Sequence, residues 1–210
     1  MAQRERGSRT RRLILEAAAE AFDEFGYDGA STTDILARCG LTRGGLYHHF
    51  PSKEAIAAAV VEAQSEALVV VPHPVNLQAA IHLTVTYTQR LQNDPVLRAG
   101  VRLTVEHSSF GSRDAAAYEA ATGAMLGLLE QAGSQGELLP GVDIEEAAQF
   151  LVGTFTGIQL VSQVYNNRKD LLPRVSTMWR FVLPGLAQPG LLPRLDTDAD
   201  EIAARNGVPN

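Results

Sequence analysis

Fourteen consecutive residues decide the fold: Leu41-Thr42-Arg43-Gly44-Gly45-Leu46-Tyr47-His48-His49-Phe50-Pro51-Ser52-Lys53-Glu54. Thr42 is a good N-cap and proline cannot continue a helix, so a short helix is predicted between Thr42 and Pro51. Ser52 is a second N-cap and starts another helix directly afterwards. A short, separately capped helix with a cation in its first turn is typical of a helix that reads a DNA groove.

Two further helices are predicted before this stretch. Residues 8–25 carry apolar side chains at three- and four-residue intervals, and Gly26 stands where a left-handed stop is expected. Residues 31–34 form a capping box with Asp in place of Glu, and Gly40 ends the helix that follows. Two helices joined by a glycine turn over about twenty residues have helix-turn-helix spacing. Cys39, in the second helix, is expected to be a small core residue.

Helical periodicity continues through the rest of the chain. Helices are predicted from Ser52 to about Leu68, over 76–93, over 95–108, from about 114 to 132, from the Asp143 cap to about Asn166, and over about 171–186. A loop containing glycine and serine is expected before residue 114, and the tail after Leu191 is expected to be loose apart from a short helix. No segment alternates like a strand, so the predicted fold class is all-α.

The candidate DNA contacts share the reading helix and the start of the next one. They are Thr42, Arg43, Gly44, Gly45, Tyr47, His48 and Lys53. The Thr42 cap directs free amides toward a phosphate, and Arg43 in the first turn can reach a base edge, most often guanine. Leu46 and Phe50 are assigned to the core. Lys53, in the first turn of the next helix, is expected to clamp a phosphate.

The two glycines and the two histidines each allow another interpretation. Gly44 and Gly45 cost about 1 kcal/mol each relative to alanine in a helix, which is tolerable where the backbone must lie close to DNA. They would equally ease the packing of one helix against another. His48 and His49 resemble a metal pair, but adjacent helical positions diverge by about 100° and do not share one ion easily.

Composition excludes several classes of protein. One cysteine and five histidines without a cluster exclude an intramolecular disulfide and argue against a structural zinc site. No apolar run is long enough for a membrane span or a signal peptide, which predicts a cytoplasmic protein that associates with the nucleoid when bound to DNA. No catalytic triad, phosphate loop or metal-spaced carboxylates are present, so neither an enzyme nor a cofactor is predicted.

Charge is graded along the chain. Residues 1–54 hold eight basic and eight acidic residues, whereas residues 55–210 hold ten and sixteen, which accounts for the net charge of −6. The first twelve residues contain five arginines, Arg4, Arg6, Arg9, Arg11 and Arg12, against the single Glu5. A basic end suits phosphate, and an acidic body would be repelled by it. The alternative is that these arginines only increase solubility.

The two late helices carry more apolar surface than one partner requires. The helix ending near Asn166 has apolar side chains over more than half of its circumference, with Gly153 and Gly157 four residues apart. A second apolar face implies a second partner, and the helices around 143–166 and 171–186 are therefore predicted to form a homodimer interface. The alternative is a helix wholly buried within one chain.

Residues 8–54 resemble the DNA-binding domain of the tetracycline-repressor (TetR) family. The family's recognition segment has the form T-x-G-x-L-Y-x-H-F-x-S-K-E, and this chain matches it at Thr42, Gly44, Leu46, Tyr47, His49, Phe50, Ser52, Lys53 and Glu54. The resemblance implies a homodimeric repressor that binds a pseudo-palindromic operator. It implies a DNA-binding domain at 1–54 and a ligand-binding and dimerisation domain at 55–210.

Four later segments are similar to the γ-butyrolactone autoregulator receptors of streptomycetes. They are Glu62–Gln64, Pro95–Leu103, Gly136–Pro140 and Gly153–Gln163. This resemblance implies a repressor of antibiotic or signalling genes that a diffusible lactone, butenolide or furan hormone releases from DNA. Such receptors usually carry a pocket tryptophan on the helix that here spans 114–132, whereas the sole tryptophan of this chain is Trp179. The alternatives are a roomier pocket and partial substitution by Tyr118.

Six polar residues that interrupt apolar helices are the candidate ligand contacts: Gln64, Tyr87, Thr104, Tyr118, Thr156 and Gln159. A neutral polar set suits a lactone or another uncharged amphiphile better than a phosphate. The alternatives are a TetR-type repressor of an efflux pump that answers hydrophobic drugs, and a fixed repressor without an effector.

Overall fold

The computed structural model describes residues 2–109 and 115–205, and its regular structure is helical. An isolated bridge between Leu138 and Ala187 is the only strand-type pairing in these ranges. The α-helices there are α1 Ala2–Gly29, α2 Thr32–Cys39, α3 Arg43–His49, α4 Lys53–Glu62, α5 Asn76–Asn93, α6 Pro95–Ser109, α7 Ala116–Ser134, α8 Ile144–Asn166, α9 Leu171–Val182 and α10 Ala199–Arg205. The all-α prediction is confirmed. The loop predicted before residue 114 lies mostly outside the described residues.

The chain forms two compact units. The first contains Met1–Ala67 and Asn93–Ala117 and holds α1 to α4 with α6. The second contains Leu68–Gln92 and Tyr118–Asn210 and holds α5 and nearly all of α7 to α10. All of residues 41–54 belong to the first unit. The functional division after residue 54 stays a prediction, because compactness does not show where DNA binding ends.

Local signals place the helices of the first unit where the sequence predicts them. Gly26 breaks α1 with φ 72° and ψ 175°, a conformation that favours glycine, and one further turn follows. Ser31 and Asp34 form the predicted reciprocal capping box on α2, and Gly40 ends that helix at φ 66°. Thr42 and Ser52 cap α3 and α4 through their side chains.

The core of the first unit joins the helix-turn-helix to α4 and α6. Its fully buried side chains include Ile14, Phe22, Ile35, Leu46, Ile56 and Leu103. Cys39 is partly buried against this core, and the predicted core residue Phe50 is 3% exposed. Close packing of α1 against α2, α4 and α6 makes this unit a continuous support for α3.

The fourth helix is shorter than predicted. It ends at Glu62 instead of continuing to about Leu68, and a 3₁₀ turn at Ser65–Ala67 follows. The α-helix gives way to 3₁₀ geometry here, because the backbone amide of Gln64 donates to the carbonyl of Val61, three residues earlier. Gln64 therefore lies just beyond α4 and not within it.

A buried carboxylate starts the second unit's first helix. Glu137 is 7% exposed and lies just after α7, at a turn where Gly136 has φ 70°. Its carboxylate accepts hydrogen bonds from the backbone amides of Asn76 and Leu77, both at 2.8 Å, and from the Asn76 side chain at 3.3 Å. The Glu137 side chain thus caps the N-terminus of α5, although it follows Leu77 by 60 residues in the sequence.

The tail is better packed than predicted. A 3₁₀ turn at Leu192–Arg194 and helix α10 follow the last large helix, and Ile202 of α10 is only 1% exposed. Gln78 of α5 bonds both the amide and the carbonyl of Asp196. The expectation of a mostly loose tail is therefore wrong for residues 191–205, because apolar burial and these hydrogen bonds fix it.

Helix α8 buries one side and exposes another apolar side. Ala148, Leu151, Gln159 and Ser162 are buried, whereas Phe150, Val164 and Tyr165 are exposed by 59%, 84% and 76%. Phe181 of α9 is exposed by 83%. A side chain built at Gly153 or Gly157 would meet nothing within 4 Å in the described residues. A helix wholly buried within one chain does not fit these observations.

Candidate nucleic-acid interface and polar clusters

The predicted reading residues lie on one exposed side of α3. Thr42 accepts a hydrogen bond from the Gly45 amide at 3.2 Å, which starts the helix, and Leu46 and Phe50 turn toward the core. Exposed side chains or backbone on the opposite side belong to Thr42, Arg43, Gly44, Tyr47 and His48, with Gly45 partly exposed. The arrangement leaves the first turn, with its cation and free amides, facing outward.

Arg43 and Tyr47 support each other on that side. The Arg43 guanidinium lies 5.7 Å from the Tyr47 ring centroid, one helical turn away, and Tyr47 is 38% exposed. This cation–π contact favours an outward arginine without consuming its hydrogen-bond donors. Five N–H groups in a planar fork suit bidentate recognition of a base edge or a phosphate.

Neither glycine of α3 is required by packing within the described chain. A Cβ at Gly44 would meet nothing within 4 Å, and a Cβ at Gly45 would meet only the Thr42 hydroxyl, at 3.4 Å. The alternative that these glycines ease helix packing therefore lacks support. Bare backbone at two adjacent positions allows an external surface to approach α3 closely.

His48 and His49 meet edge to face, with ring centroids 5.3 Å apart. His48 is exposed, whereas His49 is partly buried. Within the described residues, no group of three or more histidine, cysteine, aspartate or glutamate side chains is placed to hold a metal ion. His48 keeps its place among the candidate DNA contacts.

Lys53 is engaged inside the first unit. Its ammonium donates to the carbonyls of Tyr27 at 2.9 Å and Ala30 at 3.0 Å, and it lies 4.3 Å from the Tyr27 ring centroid. Lys53 is predicted to contact a phosphate with its ammonium group. Two of the three N–H groups of that ammonium have intramolecular acceptors, so only one is left for a phosphate. A phosphate contact through the third N–H stays a prediction.

The arginine-rich residues at the start of the chain form the first turns of α1. Arg6 and Arg9 are exposed, and Arg11 lies 4.9 Å from the Phe50 ring centroid, next to the end of α3. Arg12 forms a 2.8 Å ion pair with Glu16, which raises the pKa of its guanidinium. The side chain of Arg4 is outside the described residues. At least Arg11 thus places positive charge beside the reading helix.

Two of the six predicted ligand residues belong to the first unit and bond to each other. The Gln64 side-chain amide donates to the Thr104 hydroxyl at 2.8 Å, and that hydroxyl donates to the Gly100 carbonyl. Both side chains are 6% exposed. The Gln64 amide nitrogen and the Thr104 hydroxyl already have partners, which weakens both residues as ligand contacts.

The other four predicted ligand residues belong to the second unit, and three of them gather near one another. The Tyr87 ring contacts Phe155 edge to face at 5.7 Å. Burial, and then the nearby Tyr118, raise the pKa of the Tyr87 hydroxyl well above its usual range, and burial also raises the pKa of Tyr118. Gln159, one turn after Phe155, is 2% exposed. Thr156 bonds to the Val152 carbonyl of its own helix at 2.8 Å.

Sequence reasoning missed Arg168, which adjoins this group. Arg168 is 5% exposed, and its Nε donates to the Gln159 side-chain oxygen at 3.1 Å. Asn167 and Arg168 have φ of 57° and 63°, and the turn that they form returns Arg168 beneath α8. Asn167 at the end of α8 is a recognisable left-handed cap, but the burial of the next side chain leaves no local signal.

Buried oxygens without a hydrogen-bond partner occur among the described residues of the second unit. They include the Thr86 hydroxyl, next to Tyr87 in sequence, and the Gln163 side-chain carbonyl, one turn after Gln159. Buried polar atoms of folded proteins are nearly always hydrogen-bonded, so each of these calls for an explanation. A ligand or an ordered water would satisfy both.

Two family models cover most of the chain. Residues 14–60 match the model for bacterial regulatory proteins of the tetR family. Residues 75–188 match the model for a tetracyclin repressor-like C-terminal domain. None of the described helices has the length and apolar character to cross a bilayer.

Individual relatives extend the similarity over nearly the whole chain. The A-factor receptor protein of Streptomyces griseus is 37% identical over 193 residues, which cover 91% of this chain and 69% of the relative. The structure of full-length TylP, a TetR regulator from Streptomyces fradiae, is 40% identical, covers 95% of this chain and 96% of its own, and has a TM-score of 0.83. A gamma-butyrolactone receptor (ArpA-like protein) structure is 26% identical, with coverages of 95% and 98% and a TM-score of 0.76.

Proposed function

The chain belongs to the TetR family of bacterial regulators, and we propose that it is a transcriptional repressor that a small diffusible hormone releases from its operator. The exposed side of α3 is the observation that carries DNA binding. It joins an outward arginine, an outward tyrosine and two adjacent glycines, at which a Cβ would meet nothing within 4 Å in the described residues except the Thr42 hydroxyl beside Gly45. A helix of this kind fits the major groove of double-stranded DNA.

A homodimer is the second part of the proposal. The exposed apolar side of α8 and α9, with Phe150, Val161, Val164, Tyr165 and Phe181, has the character of an interface core. Gly153 and Gly157 on α8 leave space for a second helix to approach. Two-fold pairing through this side would present two copies of α3 to the half-sites of a pseudo-palindromic operator.

A hormone of the γ-butyrolactone, butenolide or furan type is the proposed effector. Two relatives that match most of this chain are named as receptors, one for A-factor and one for gamma-butyrolactone. The half-buried Tyr87, Tyr118 and Phe155, together with the buried Gln159 and the unsatisfied oxygens of Thr86 and Gln163, provide apolar surface and hydrogen-bonding capacity. These names favour a hormone over the hydrophobic drugs of an efflux-pump repressor.

Release is proposed to be a population shift. Ligand bound by the second unit would favour a spacing of the two α3 helices that no longer fits successive major grooves. Emptying an operator requires a differential affinity of several kcal/mol between the two states, about 5.5 kcal/mol for a near-complete shift. We place the protein in the cytoplasm, on the nucleoid when it is bound, because its operator is there.

Arg43→Ala tests the reading helix. The expected loss is about 1–3 kcal/mol of operator affinity, with relaxed preference at one base pair in each half-site. A duplex selected from a random pool by the unaltered protein is the probe, and fluorescence anisotropy against single-base variants of that duplex is the measurement. Arg194→Ala is the matched control, because Arg194 is an exposed arginine of the second unit. Equal losses for the two variants would contradict base reading by Arg43.

Tyr87→Phe tests the ligand cluster. Loss of one buried hydroxyl is expected to raise the hormone concentration needed for release by about tenfold, without changing operator affinity. The probes are synthetic γ-butyrolactones added to the complex of protein and selected duplex. Ser134→Ala is the control, since it also removes one hydroxyl from the second unit, but Ser134 is exposed and lies at the end of α7, outside the proposed dimer helices α8 and α9. Unchanged release by a lactone that acts on the unaltered protein would remove Tyr87 from the site.

A further inference from the structure

The break in α1 separates two backbone groups that an unbroken helix would join. The Tyr27 amide and the Asp23 carbonyl are four residues apart, which is the spacing of the α-helical hydrogen bond. At the break the Tyr27 amide donates to Glu106 of α6 at 3.1 Å, and the Asp23 carbonyl accepts from Arg102 of α6. Helix α6 thus supplies a partner for each end of the interrupted ladder.

Arg102 and Glu106 also bind each other. The Arg102 Nε lies 2.7 Å from the Glu106 Oε1, one helical turn apart on α6. A Cβ at Gly26 would lie 3.2 Å from Arg102 Nη2 and 3.4 Å from Glu106 Oε1. The ion pair fits the break closely, so the break and the pair form one structural element.

Helix α4 also holds the segment after the break, residues 27–30. Lys53 donates to the carbonyls of Tyr27 and Ala30, and Ala30 directly precedes Ser31, the N-cap of α2. Hydrogen bonds from the Ser52 hydroxyl, then from the Glu54 backbone amide and then from the Tyr27 hydroxyl lower the pKa of the Glu54 carboxyl. Residues 26–30 are therefore fixed by α6 and α4 at the point where the chain enters the helix-turn-helix.

We propose that Arg102 and Glu106 are positioning residues for DNA reading. They hold the turn at residues 26–30, and through it the start of α2 and the orientation of α3, although neither contacts DNA. This inference rests on the proposed function, because it assumes that α3 reads an operator. It also gives the two arginines of the Pro95–Leu103 segment a role in the first unit, since Arg98 lies 3.8 Å from the Asp23 carboxylate.

Glu106→Gln tests the proposal with an isosteric change. The two carboxylate oxygens accept from different donors, Oε1 from Arg102 and Oε2 from Tyr27. A carboxamide has one acceptor, so its NH₂ group would face a donor at one of the two contacts. The expected result is about tenfold weaker binding of the selected duplex. A side chain that only fills space would tolerate this substitution.

Asp196→Asn is the matched control. Asp196 in the second unit likewise accepts from a backbone amide, that of Asp198, with one oxygen and from an arginine, Arg205, with the other. This variant is expected to bind the duplex as the unaltered protein does. Arg102→Lys is the second test variant, because a lysine cannot reach both the Asp23 carbonyl and Glu106, and it too is expected to bind about tenfold more weakly.

Each outcome has a defined meaning. Operator binding is measured below the unfolding temperature of every variant, with helical content and dimer content checked by circular dichroism and sedimentation. Weaker binding by folded, dimeric Glu106→Gln or Arg102→Lys, with normal binding by the control, supports the proposal. Binding equal to that of the unaltered protein, or an equal loss in the control, overturns it. If the unaltered protein selected no duplex, the proposed function itself would fail.

Discussion

Phe181→Asp is expected to leave the protein folded but monomeric and to weaken binding to a palindromic duplex by more than about a hundredfold. Phe181 is 83% exposed, so its replacement removes no contact from the interior of the chain. In a two-fold interface each residue occurs twice, and burial of one phenylalanine side chain contributes about 1.5–3 kcal/mol. Two aspartates would in addition be placed in an apolar interface without partners.

Sedimentation velocity across a range of protein concentrations, together with anisotropy on the selected duplex, measures this effect. Val70→Asp is the control, because Val70 is also apolar and exposed, by 40%, but lies outside α8 and α9. The control is expected to remain dimeric and to bind DNA. A dimeric Phe181→Asp protein would show that pairing uses a different surface.

Glu137→Ala is expected to lower the free energy of unfolding by about 3–5 kcal/mol. Three donors, two of them backbone amides at the start of α5, would lose their acceptor while remaining buried. In a chain of this size a change of that magnitude lowers the unfolding temperature by about 10 °C. Urea titration followed by circular dichroism, at one fixed protein concentration, gives the change in free energy.

Glu145→Ala is the comparison for this substitution. Glu145 is an exposed glutamate in the first turn of α8 and is expected to change stability by less than about 0.5 kcal/mol. A loss below about 1 kcal/mol for Glu137→Ala would mean that water replaces the carboxylate at the start of α5. The capping role assigned to Glu137 would then be wrong.

Local signals in the sequence were sufficient to place most helices. Ser31, Thr42, Ser52 and Asp143 all cap helices as predicted, and Asn76–Asn93 has the predicted bounds. Each of these depends on residues within one turn of the helix end. The cap of α5 could not be predicted in this way, because Glu137 follows it by about 60 residues and the contact exists only in the folded chain.

The recognition segment shows where a family motif and a physical role diverge. Thr42, Gly44 and Tyr47 are exposed on α3, in agreement with a DNA contact, but Lys53 and Glu54 bind the segment that precedes α2. Position within a motif does not distinguish a residue that touches DNA from one that orients the helix. Only the carbonyls of Tyr27 and Ala30, brought close by folding, reveal the second role.

The candidate ligand residues were less predictable still. Polar residues on apolar helices identify positions, but they do not show which side chains already have partners. Gln64 and Thr104 bond to each other, whereas Tyr87 lies beside Phe155 and Gln159 binds the unpredicted Arg168. The sequence pattern indicates that polar residues interrupt the apolar helices of the second unit. Which of these residues lie together is known only from the packing of the folded chain.

The sole tryptophan of the chain provides a built-in optical reporter. Trp179 is fully buried in the second unit, and its indole N–H donates to the Thr84 hydroxyl at 2.8 Å. Its emission will therefore come from a buried, hydrogen-bonded indole between α9 and α5, with no indole background from the helices of the first unit. Quenching or a red shift upon addition of a lactone would register effector binding in unlabelled protein, even without an operator.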